Sequence, residues 1–155
     1  MARTLTAGTI AQSTRRLGSE PIVILKIDWT GGTKYYSDKG FTLGTLTMEG
    51  RIIDFGTISS KINDRTYGGV DSASATLCDI DSDLKTIFDS EIIEKVSVTI
   101  YHHFEGLLES DLTPILVGKI MSPIVWSEGE RTLSFEIGND WDSEDLLLEI
   151  KETSD

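Results

Sequence analysis

Cysteine, proline, histidine and positive charge are all scarce in this chain, and each scarcity removes a class of explanation. A single cysteine, Cys78, rules out an intrachain disulfide. Within Ala75-Thr76-Leu77-Cys78-Asp79-Ile80 it reads as a small buried hydrophobe. The two histidines are adjacent, His102 and His103. Neighbouring strand residues point to opposite faces, and neither histidine has a cysteine at ligand spacing, so no metal site is expected. Three prolines against 14 glycines favour short strands joined by tight turns. Fourteen Lys and Arg face 26 Asp and Glu, a formal net charge of −12. That balance repels phosphate, so neither specific nucleic-acid binding nor an anionic membrane surface is expected. No apolar run reaches the length of a membrane-spanning helix, and the first residues lack a signal-peptide pattern. The expectation is a chain that folds in a reducing cytosol.

Catalytic patterns are missing too. There is no G-x-S-x-G, and Gly31-Gly32 and Gly68-Gly69 lack the Lys-Ser/Thr of a phosphate cradle. Asp79-Ile80-Asp81-Ser82-Asp83 has the opening spacing of a calcium loop. Its sixth position is Leu84 rather than Gly and its twelfth is Ser90 rather than Glu. A helix start, capped by Asp81 or Ser82, is the better reading. No enzyme activity, cofactor or metal is expected.

What the chain does contain is strand pattern at a composition, 39% hydrophobic and 26% charged, that supports a folded core. After Pro21, Ile22-Val23-Ile24-Leu25 is a continuous apolar run of the kind covered on both faces. Trp29 to Thr33 turns it back through Lys34-Tyr35-Tyr36-Ser37. Leu46 and Met48 alternate with Thr45 and Thr47, and further strands are expected at residues 51–55, 57–62 and 72–77. One short helix, with Leu84, Ile87 and Phe88 on one side, ends near Ser90. Val96, Val98 and Ile100 alternate with polar residues, as do Leu133, Phe135 and Ile137, so both sets are expected inward. Strands at 115–120 and 124–126 flank Pro123, and residues 127–130 form a hairpin turn. The fold class is mostly β: an antiparallel sandwich or barrel with one short flanking helix.

Three stretches divide the chain: an extended N-terminal arm at 1–20, a β domain at 21–140, and an acidic segment at 141–155 that reads equally as helix or strand. The arm carries Arg3, Arg15 and Arg16, and from Glu128 onward only Arg131 and Lys151 oppose ten acids. The loops at 63–69 and 104–112 are polar at their edges yet hold Tyr67 in one and Phe104, Leu107 and Leu108 in the other. Apolar side chains on loops are candidate contacts with a partner surface. Arg15, Arg16, Tyr67, Phe104, Leu107 and Leu108 are therefore the candidate assembly contacts.

Four segments in order carry a resemblance: Ile24-Leu25-Lys26-Ile27-Asp28-Trp29-Thr30-Gly31-Gly32-Thr33-Lys34-Tyr35-Tyr36-Ser37-Asp38; Met48-Glu49-Gly50-Arg51-Ile52-Ile53-Asp54-Phe55-Gly56-Thr57-Ile58; Leu77 to Leu84 leading into Val96-Ser97-Val98-Thr99-Ile100-Tyr101; and Ile115 to Ile120 followed by Trp126 to Phe135. Over residues 20–140 the chain resembles the N-terminal part of tail-tip and baseplate hub proteins of tailed bacteriophages. The resemblance implies a tail-tube-like β domain and a structural role in the virion, in a ring around a central channel. It also implies partners: other copies of the chain, the tail tube, the hub or spike, and a tape-measure protein. One tube-like domain per chain favours a hexamer over a trimer. Such a protein is made in the host cytoplasm and ends in the virion. The alternatives are a tail-completion or connector protein elsewhere in the tail, or a non-viral β-rich binding module.

Overall fold

The computed structural model describes residues 21–61 and 70–138. The apolar run after Pro21 forms β1 (Ile22–Trp29), and Gly32, at φ 136°, opens the return strand β2 (Gly32–Ser37). Few side chains tolerate that backbone region, which is why glycine stands at the turn. The chain continues as β3 (Phe41–Leu43), β4 (Leu46–Gly50), β5 (Ile52–Phe55), β6 (Ser59–Lys61) and β7 (Val70–Cys78). Helix α1 (Asp83–Ser90), β8 (Ser97–His103), a one-turn 3-10 helix (Glu109–Asp111), β9 (Thr113–Ser127) and β10 (Thr132–Gly138) complete the order.

All ten strands belong to one sheet, in the order β3-β4-β2-β1-β8-β9-β10-β7-β5, with β6 paired beside β5 on β7. The expected mostly β fold with a short flanking helix holds, but the sheet is mixed and not closed into a barrel. Its one parallel ladder joins β2 to β4 through Tyr35↔Met48, Tyr36↔Glu49 and Ser37↔Gly50. The antiparallel expectation fails there because β3 folds onto the far side of β4 and so returns the chain in the direction of β2.

The open sheet is tied end to end by one residue. β4 and β5 are consecutive, separated by Arg51. The Arg51 N–H donates to the Ser37 carbonyl of β2 at 2.9 Å, and its own carbonyl accepts from the Cys78 N–H of β7 at 2.8 Å. The sheet therefore curls, and its concave face forms a single core. Leu25, Tyr36, Ile52, Leu77, Leu133 and Phe135, drawn from five strands, are all buried in it. The two alternating sets point inward as expected: Val98, Ile100, Leu133, Phe135 and Ile137 are buried, and Val96 packs against them. Leu84 of α1 is buried in the same cluster, with Ile87 and Phe88 packed on it, and Phe88 stacks on Trp126 of β9 at 6.0 Å.

The convex face is partly covered as well. Ile24, Met48, His103 and Phe104 are buried outside the main cluster. The Phe41 ring stacks on His103 at 5.7 Å. β3 ends the strand order and β8 lies near its middle, so this contact means that the β3–β4 hairpin folds back over the sheet. Glu109 pins the hairpin tip by accepting from the Thr45 N–H at 2.7 Å. Gly44, at φ 60°, sits where an added Cβ would strike the Glu109 carboxylate.

One local expectation changes and another is narrowed. The strands expected on either side of Pro123 are one 15-residue strand, β9, whose first half pairs with β8 and second half with β10. The β9–β10 register shifts between Ser134 and Glu136, absorbing the residues around Pro123 without ending the strand. Ser82 occupies the N-cap position of α1 but makes no side-chain cap hydrogen bond. Instead Asp79 Oδ1 accepts from the Leu84 N–H at 3.2 Å and Asp81 Oδ1 from the Asp83 N–H at 3.3 Å. The arm at 1–20, most of the loop around Tyr67 and the acidic segment, with its choice of helix or strand, lie outside the described residues.

Candidate assembly surface

The densest group of ionisable side chains surrounds Arg51, whose guanidinium is almost fully buried. It binds Asp81 in a two-point clamp, Nη1 to Oδ1 at 2.9 Å and Nη2 to Oδ2 at 2.7 Å, and its Nε donates to Glu49. Asp79, whose side chain is 0% exposed, lies 3.7 Å from Arg51 Nη1 and 3.2 Å from Arg131 Nη2. Arg131 Nη2 also donates to Ser82 Oγ at 2.7 Å, and Lys34 Nζ reaches Asp83 at 3.0 Å. The three aspartates that imitate the opening of a calcium loop are thus each engaged by a cation of the chain itself. They join β2, β4, β7, β10 and the start of α1. Among the described residues no group of three or more His, Cys, Asp or Glu is arranged to hold a metal.

The charges respond to this geometry. The hydrogen bonds it donates to Asp81 raise the Arg51 pKa above its already high ordinary value. Hydrogen bonding to Arg51 in turn lowers the Asp81 carboxyl from 3.8 to about 2. Burial lowers the His103 pKa below its ordinary 6.5, against a smaller opposing pull from Asp111. The Tyr36 phenol, which accepts from Trp29 Nε1 at 2.9 Å, is raised by burial.

A different kind of site lies on the convex face of β9. Val117, Met121 and Val125 are 61%, 42% and 53% exposed. They stand over Thr99 of β8 and over Glu136 and Ser134 of β10, their register partners. Met121 lies flat across Gly138, where an added Cβ would collide with its Sδ. The β3–β4 hairpin that covers the other end of this face contacts β8 and the 3-10 turn, and β9 is left open.

The sequence-based contacts separate once placed. Arg15, Arg16 and Tyr67 lie outside the described residues. Phe104 is buried outside the main core, Leu107 is half-buried, and Leu108 is 69% exposed. The structure brings Phe104 into the fold and leaves Leu108 facing water. The β9 residues were not among these candidates, although a signal for them exists. In Ile115-Leu116-Val117-Gly118-Lys119-Ile120-Met121 apolar residues occur on both alternating sets, which is the pattern of a strand covered on both faces. Among the described residues, β9 is covered on its concave side, while Val117, Met121 and Val125 stay exposed on the other.

No protein-family model matches the sequence, and no curated protein matches it. The fold is similar to that of a chain in a solved structure, the virion of a native gene transfer agent particle. The TM-score is 0.62 at 10% sequence identity, over 86% of this chain and 44% of that chain. The likeness is one of fold, and this chain spans less than half the length of the chain it matches.

Two predictions follow from the charges and from the exposed stripe. Asp81, with its folded pKa lowered, contributes stability that is present above pH 3.8 and lost as pH falls through about 2. His103, lowered in the same sense, contributes above its ordinary 6.5 and loses that contribution as pH falls. Acid denaturation followed by circular dichroism should therefore show Asp81→Asn flattening the limb between about pH 4 and 2, and leaving the limb near pH 6 unchanged. Replacing Val117, Met121 and Val125 singly with Ser should alter unfolding free energy by no more than about 0.5 kcal/mol each. The triple variant should keep its melting temperature, and any self-association of the parent chain in sedimentation velocity should be weakened in it.

Proposed function

We propose that this chain is a structural protein of a phage-like virion, a subunit of a ring at the distal tail or baseplate hub. The observation that carries the reading is the fold likeness to a chain of a gene transfer agent virion, extending over 86% of this chain. The order of segments that resembles tail-tip and baseplate hub proteins supports it from the sequence. A net charge of −12 suits a conduit for DNA, since attraction to phosphate would stall the genome.

The ring follows from symmetry. A closed ring uses head-to-tail contacts in which each copy offers two different patches. Residues 21–138 supply one tube-like domain, and a sixfold ring built from such domains takes six copies, with neighbouring tail-tube, hub or spike and tape-measure proteins above, below or within the ring. The bare stripe on β9 and the exposed Leu108 are apolar surfaces of the kind such contacts consume.

Mass spectrometry of purified particles from cells expressing this chain should recover it in fixed ratio to the other virion proteins, and native mass spectrometry of the assembled form should give a hexamer. Absence from intact particles, or a chain that stays monomeric in every assembly state, would contradict the reading.

A further inference from the structure

Where the curled sheet fails to close, two strand edges are left open at one groove. One wall is Pro21, Ile22 and Val23 at the start of β1; the other is Ile52, Ile53 and Asp54 of β5, with Asp38 at the rim. β5 ends the strand order, so no described strand pairs with its outer edge. β2 pairs with β1 only from Leu25 onward, which leaves the β2-facing edge of Ile22 to Ile24 without a strand partner among the described residues. Ile53, in this groove, is 58% exposed. The groove volume is about 220 Å³, below the size of an ordinary small-molecule site. Bare edges and apolar side pockets instead match what an added strand requires: backbone hydrogen bonds for affinity and pockets for alternate side chains.

We propose that this groove takes residues 1–20 of a second copy of the chain as an added strand. Charge selects this occupant. The groove presents Asp38 and Asp54, both exposed, with no cation among its lining residues. Residues 1–20 carry Arg3, Arg15 and Arg16 against the single acid Glu20, in a protein whose net charge is −12. Leu5, Ile10 and Leu17 supply apolar side chains among Thr, Ser and Ala. Connectivity selects the second copy over the same one. The segment joins the fold at Pro21, which has no N–H to close a tight hairpin onto β1, and a residue before proline is held extended. Twenty residues can reach about 66–72 Å, well beyond a domain with a radius of gyration near ~15 Å. The proposal rests on the ring reading, because it needs a neighbouring copy.

Disulfide trapping in the full chain tests it. In a Cys78→Ser background, single cysteines are placed in turn at residues 9–16 in one set of chains, and Asp54→Cys is placed in another. Each pair is mixed and oxidised. At least one pair should give a covalent heterodimer that a thiol reductant reverses. Adding Asp38→Lys to the Asp54→Cys chain should cut its yield severalfold. Moving the second cysteine to Glu136 on β10 should abolish it. Absence of any heterodimer overturns the proposal. So does a chain carrying both cysteines that closes only on itself, which would make its own segment the occupant. The outcome is separable from that of the virion reading. A chain present in particles that traps no pair sinks the groove assignment alone, whereas a trapped pair in a chain missing from particles sinks the virion reading.

Discussion

Arg51 does with one residue what a closed barrel does with a full ladder. Its backbone N–H and carbonyl reach opposite ends of the open sheet, β2 through Ser37 and β7 through Cys78. Its side chain, almost fully buried, is held by Asp81, Glu49 and Asp79. A buried guanidinium is costly unless its donors are engaged. The aspartates that engage this one sit at the end of β7 and the start of α1, so burying the charge also fixes where the helix begins. Asp79 and Asp81 each accept an N–H of the first turn while facing the guanidinium. Sheet curvature, helix placement and the capping of α1 therefore depend on one ion-pair cluster.

The same economy leaves the molecule unfinished at its surface. Tying the sheet at a point rather than along a ladder leaves the outer edge of β5 and the β2-facing edge at the start of β1 without strand partners among the described residues. Folding the β3–β4 hairpin over β1 and β8 covers half of the convex face and leaves Val117, Met121 and Val125 uncovered. An isolated domain tolerates a few exposed apolar side chains. A contiguous stripe on a strand together with open strand edges is what native proteins usually blunt. A subunit whose surfaces are completed by neighbours has no need to, and this is the physical support for the proposed assembly.

The sequence carried the periodic parts of this account. Strict alternation at Val96-Val98-Ile100 and Leu133-Phe135-Ile137, the Gly31-Gly32 turn and the Leu84-Ile87-Phe88 face are local patterns, and the structure places them as they read. What did not show was non-local. Nothing around Arg51 distinguishes a surface arginine from one that will meet Asp81, thirty residues away, inside the fold. The Asp79-Asp81-Asp83 run was legible as a helix start, and its cation partners were not. The parallel β2–β4 ladder depends on β3 folding outward, which Gly40 and Gly44 permit without specifying. Pro123 suggested a break in β9, whereas a register shift accommodates it. Phe104 and Leu108 share a loop and a polarity pattern, yet the first is buried and the second exposed, a difference that local pattern does not carry.

The central claim is that Arg51 holds the two ends of the sheet together, and native-state hydrogen exchange combined with guanidinium denaturation of Arg51→Met tests it most directly. Removing the cation leaves buried and half-buried carboxylates short of a partner, so the loss of unfolding free energy should be about 3 kcal/mol or more. Amide protection should fall together in β2 and β7, Cys78 included, while the β8–β9 ladder keeps most of its own. A loss of less than about 0.5 kcal/mol, with β2 and β7 protected as before, would show that the sheet holds its curvature without this residue and would contradict the account.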